Sequence, residues 1–179
     1  MKVVLDACVL YPTVLREILL GVAARGLYRP FWSERILEEW ARAARKLGPA
    51  GEAVARGEIA ALRAAWPGAM LPPAPGVAAR LWLPDPADIH VLAVAIAGSA
   101  DLILTVNATD FPRGILAEEG LQRRDPDQFL LALWQDHPGE VAEAVDAVAD
   151  TARRLSGEDL PLRPLLKRVR LPRLAKALS

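Results

Sequence analysis

With 179 residues, 53% of them hydrophobic, the chain can bury one full core, and its size suits one domain with a small appendage. One cysteine and two histidines exclude an intramolecular disulfide and a thiolate zinc cluster, and no apolar run of about 18 residues lacks a charge, so a soluble, unexported, cytoplasmic protein with no membrane span is expected. A formal net charge of zero hides an asymmetry: residues 151–179 carry eight Lys/Arg against two acids, so a basic tail follows an acidic body.

Val3-Val4-Leu5 reads as a buried strand that delivers Asp6 at its C-terminal end. Pro12 opens a helix in which Val14, Leu15, Ile18, Leu19 and Val22 recur at helical spacing, with Gly26 just past its end. A second strand, Tyr28 to Trp32, leads to Ser33, a good N-cap for a helix that buries Ile36, Leu37, Trp40 and Ala44 and carries Glu38 and Glu39. Gly48, Pro49 and Gly51 break the pattern before a helix from Glu52 to Trp66. Pro67, Gly68, Pro72, Pro73 and Pro75 then make a stiff irregular connection, followed by a strand-like Leu81-Trp82-Leu83. In Asp85-Pro86-Ala87-Asp88 an Asp at the N-cap, a Pro at the first helical position and an acid at the third predict an Ala-rich helix running to Gly98. Asp101 to Val106 is a further β-rich run, and Asn107 to Asp110 a polar turn.

Strands alternating with helices predict an α/β fold with a parallel sheet flanked by helices, whose strand carboxyl ends form the ligand site. Beyond Leu121 the patterns centred on Asp127–Gln135, Pro138–Leu155, Pro161–Val169 and Pro172–Leu178 predict an all-helical C-terminal extension, giving units 1–120 and 121–179. In that extension Arg163, Lys167, Arg168, Arg170, Arg173 and Lys176 form either a solvated helix face or a positive surface for RNA or a protein partner.

Each acid also has an ordinary reading. Asp6 could cap the helix near Pro12, Asp88 could complete a capping box, Glu38 and Glu39 could be surface charges, and Asp110 a turn residue; Asp85 reads better as a cap than as a ligand. Together, though, the acids lie at the end of one strand, on the second helix, at a late helix start and after a late strand, places that converge in a parallel sheet. Several carboxylates without cysteines or convergent histidines suit Mg²⁺ or Mn²⁺, and such sites serve phosphoryl chemistry.

Four segments carry a resemblance: Val3–Leu10 around Asp6, Trp32–Trp40 with Glu39, Asp85–Ala95 with Asp88, and Ala100–Pro112 with Thr105, Asn107 and Asp110. Their order and spacing resemble the PIN-domain nucleases, and among these the VapC-like toxin ribonucleases with a helical C-terminal tail. The resemblance covers residues 1 to about 115. It implies a PIN-like fold and an endoribonuclease using Mg²⁺ or Mn²⁺, with Asp6, Glu39, Asp88, Asn107 and Asp110 as catalytic positions, metal held by Asp6, Asp88 and Asp110, and Thr105 in support. Asn107 stands where the family often has an Asp, so Asp110 could supply the missing charge. A small antitoxin partner and a homodimer are implied by analogy. A DNA nuclease sharing the fold, or a non-catalytic interaction module, are the alternatives.

Overall fold

The computed structural model describes all 179 residues. Lys2–Leu5 form β1, and Val3, Val4 and Leu5 are fully buried; an uninterrupted apolar run suits a strand covered on both faces. It is followed by α1 (Ala7–Leu10), α2 (Thr13–Ala24), β2 (Arg29–Ser33), α3 (Glu34–Ala43), a 3₁₀ turn at Ala44–Leu47 and α4 (Gly51–Ala65). Next come β3 (Met70–Leu71), α5 (Pro75–Ala78), a 3₁₀ turn at Pro86–Asp88, α6 (Ile89–Ala97), β4 (Leu102–Leu104), α7 (Arg113–Glu118) and β5 (Gln122–Arg124). All the strand pairs are parallel, in the order β3-β2-β1-β4-β5. The chain therefore starts in the middle of the sheet, builds outward through β2 and β3, and returns to the other side of β1 for β4 and β5. That reversal opens a crevice at the carboxyl ends of β1 and β4. Asp6 leaves the first of these strands and Thr105 the second.

The expected helix-flanked parallel sheet and helical C-terminal region are present, with local corrections. Leu81–Leu83 is not a strand: Leu83 is buried, but Trp82 points out and Pro84 follows, while the edge next to β2 is taken by Met70–Leu71. Pro72 and Pro73 lack the N–H groups needed to prolong that edge strand. Asp6 caps α1, a short helix that precedes the one after Pro12, by accepting from Ala7 N–H at 2.7 Å. The sheet also gains a strand beyond Leu121, because Gln122–Arg124 pairs along Leu102–Leu104. Its sequence Gln-Arg-Arg shows no apolar pattern, so its strand character comes from the ladder.

Four helices complete the chain: α8 (Pro126–Asp136), α9 (Pro138–Ser156), α10 (Leu162–Arg168) and α11 (Pro172–Ala177). The first packs against α9, which lies on α2, and α11 returns onto α8. Phe129 meets the Tyr28 ring edge-on, centroids 5.0 Å apart, and the Tyr28 hydroxyl donates to Leu19 O. Phe129, Leu130, Leu166 and Leu174 are fully buried in the same continuous cluster as Val3 and Leu5. Each such side chain contributes roughly 1.5–3 kcal/mol on leaving water, so the helical region is fastened by ordinary core packing. The buried Asp127 carboxylate adds a polar tie by accepting from Arg173 N–H at 2.9 Å and Leu174 N–H at 3.0 Å. No helix is long and apolar enough to cross a membrane.

Candidate metal centre

At the end of β1, both oxygens of Asp6 are engaged. Oδ1 accepts from Ala7 N–H, while Oδ2 accepts from the Thr105 hydroxyl at 2.7 Å and from the Cys8 thiol at 3.3 Å. The Thr105 oxygen in turn accepts from Asn107 N–H at 3.0 Å. A three-centre link thus joins the ends of β1 and β4 and fixes the orientation of a carboxylate that is only 6% exposed. Burial and the neighbouring Asp6 charge push the Cys8 thiol up to about 12. It remains a neutral donor instead of adding a second negative charge.

Facing Asp6 across the crevice, Asp85, Asp88 and Asp110 each present a carboxylate oxygen within 4.8 Å of the others. Asp85 caps the 3₁₀ turn, accepting from Ala87 N–H at 2.9 Å. Asp88 makes no side-chain capping bond, so a capping box does not account for it. Asp110 is held by the Asn107 side-chain amide, which donates to Oδ2. Asn107 therefore bridges the Thr105 end of the crevice to the acid at Asp110. Burial first, and then the charges of Asp6, Asp110, Asp85 and Glu39, raise Asp88 to about 6. None of Asp6, Asp85, Asp88 and Asp110 pairs with a Lys, Arg or His side chain.

Adjacent glutamates on α3 have different surroundings. Glu38 turns to Arg56 and Arg42, whose hydrogen bonds hold its carboxyl down at about 2. Glu39 turns inward and meets His90 Nε2 at 2.6 Å. With its proton on Nε2 the imidazole donates to the carboxylate, and its buried Nδ1 has no partner. Glu39 and His90 also line a cleft of about 790 Å³ between α3 and the α5–α6 segment.

The structure thus brings Asp6, Glu39, Asp88, Asn107, Asp110 and Thr105 to one crevice, in unequal roles. The tight carboxylate group is Asp85, Asp88 and Asp110. Asp6 stands beside it, close enough for its charge to act on Asp88. Asp85 and His90 were not among the sequence-derived candidates. Asp85 was hidden by its real capping bond, and His90 by a position whose meaning depends on the approach of α3 to α6.

A model of the PIN domain matches residues 2–109. The chain belongs to the PIN-domain family. No curated protein and no solved structure matches it. PIN domains are generally metal-dependent nucleases, and the donor set here fits that chemistry. Unpaired carboxylates crowd together, one of them holds its proton more tightly than an Asp normally does, and all the donors are hard oxygens. Asp85, Asp88 and Asp110 are the residues that would hold a divalent cation, with the oriented Asp6 carboxylate beside them. Held there, a divalent cation would supply charge stabilisation to a phosphoryl group and would lower the pKa of water. The protein's own part is positional: Thr105 orients Asp6, Asn107 orients Asp110, and His90 holds Glu39 toward the crevice.

Proposed function

We propose that this PIN-domain protein is an endoribonuclease that hydrolyses RNA phosphodiester bonds with Mg²⁺ or Mn²⁺, and that it is the VapC-like toxin of a toxin–antitoxin pair. The observation that carries the nuclease reading is the convergence, at the carboxyl ends of β1 and β4, of four Asp carboxylates that no cation of the chain neutralises. Leaving such charges unpaired is costly, and a bound cation offsets that cost. The choice of RNA, the small antitoxin partner and the homodimer rest on the sequence resemblance, and the cytoplasmic setting on the single cysteine, which suits a reducing compartment.

The test is cleavage of total RNA and of matched DNA by the purified chain with Mg²⁺, Mn²⁺ or chelator. RNA should be cut only with metal. Thr105→Val, which removes a supporting hydroxyl, should cost roughly 10–100-fold. Asp6→Asn and Asp88→Asn, which remove charges from the centre itself, should cost more. Near wild-type metal-dependent cleavage by both Asn variants would end this reading, and cleavage of DNA alone would reassign the substrate.

A further inference from the structure

A second cavity, of about 450 Å³, lies at the end of β1 and shares no lining residue with the Glu39 cleft. Its lining includes Ala7 and Cys8, which follow Asp6, and Val106, which follows Thr105, so it adjoins the ends of β1 and β4 that carry Asp6 and Thr105. Tyr11 supplies a half-buried aromatic wall. Two cations complete it: Lys46, on the 3₁₀ turn after α3, and Arg170, between α10 and α11. Both are exposed, and neither forms an ion pair or donates a side-chain hydrogen bond within the chain. On the Glu39 side the arginines are committed instead, Arg42 to Glu38 and Arg35 to Glu39.

Arg170 also stands where its backbone does not favour it. Its φ is +63°, in the left-handed region, and Leu171 N–H closes back onto Leu166 O at 2.9 Å. This is the helix-terminating position at which glycine is the usual residue, since a side chain there is strained. The left-handed positions after α2, α7 and α9 carry glycine, Gly26, Gly120 and Gly157, and the one after α6 carries the small polar Ser99, so Arg170 is the only long charged side chain at such a position. The backbone strain is a reason to look for a role of the Arg170 side chain besides folding.

We infer that this cavity is a substrate subsite, in which Arg170 and Lys46 hold a backbone phosphate next to the one at the acid centre while the Tyr11 wall accommodates its nucleoside. The inference rests on the nuclease reading above. In it, the C-terminal extension supplies part of the nucleic-acid surface through one residue. An electronegative acid centre by itself repels a polyanion, and two free cations at its edge supply the attraction that brings the strand in.

The experiment uses the full chain in chelator, where nothing is cut, with fluorescein-labelled single-stranded RNA and the same sequence as DNA. Binding is followed by anisotropy across a KCl series. Arg170→Gly removes the cation and suits the backbone, so its thermal stability should equal or exceed that of the unaltered chain. Combined with Lys46→Ala it should weaken RNA binding at least about tenfold at low salt, and the slope of log K against log[salt] should fall by about 1.4, or 0.7 for each lost phosphate contact on a single strand. Arg154→Ala, which removes an exposed cation of α9 outside the cavity, should change binding less than twofold.

Equal binding by the double variant and the unaltered chain, a loss no larger than that of Arg154→Ala, or no binding of either strand by the unaltered chain overturns the subsite. The first outcome would leave the cavity to a protein partner. Equal loss on RNA and DNA supports a phosphate contact, and loss confined to RNA adds recognition of the ribose. Should the unaltered chain bind in this manner yet cut nothing with Mn²⁺, the phosphate contacts of Arg170 and Lys46 stand and the nuclease reading falls; should it cut while the double variant binds normally, the nuclease reading stands and the subsite falls.

Discussion

An Asp carboxyl in water releases its proton near pH 4, whereas Asp88 does so near pH 6 because burial and four neighbouring acids disfavour its charge. Since the folded state holds this proton more tightly than the unfolded chain, the contribution of Asp88 to stability declines as pH rises from about 4 to about 6, and the full penalty remains above that. Asp88→Asn should therefore melt at the same temperature as the unaltered chain near pH 4 and at a higher one at pH 7, in chelator. Melts that differ equally at both pH values would show that the Asp88 charge carries no such penalty. Mn²⁺ should reverse the order at pH 7 by stabilising only the chain with the intact centre. Asp6, Asp88 and Asp110 are conspicuous in the sequence because each stands where an apolar run or a helix begins or stops. Asp85, His90 and Cys8 are not, because their roles depend on which oxygen or thiol another element brings near them.

Among the elements, α11 is six residues long and too short to persist alone. It is held by Leu174 and Ala175 in the core and by the Asp127 carboxylate, which accepts from two of its N–H groups. Asp127→Ala leaves both donors unsatisfied near a buried surface and should cost about 1–3 kcal/mol, read as a lower urea midpoint with an unchanged m-value. An unchanged midpoint would mean that packing alone holds α11. Elements with strong periodicity, such as α2, α3, α8 and α9, are readable from their apolar spacing. The edge strands are not. Met70–Leu71 and Gln122–Arg124 are two and three residues long, and the ladder partner decides their conformation, while Leu81–Leu83 has β-type residues but no neighbour to pair with.

At the scale of the whole molecule, the order β3-β2-β1-β4-β5 places the first strand of the chain at the centre of the sheet, and the buried cluster that starts at Val3 ends at Ala175. Native pairing of β1 with β4 joins residues about 100 positions apart, and the link from Asp6 to Thr105 spans the same loop. Contacts of such sequence separation form late, because the closure entropy must be met before they contribute. A chain in which β1 and β4 have not paired lacks the link between Asp6 and Thr105. Refolding from urea into buffer containing Mn²⁺ and a quenched RNA substrate should show cleavage appearing with the same time constant as the fluorescence change of the buried Trp32 and Trp40. Activity well ahead of that signal would mean that the crevice assembles without its core. If the two coincide, the crevice and the core around β1 and β2 are completed in one step, and the topology works as a timer that keeps the crevice from forming ahead of its core.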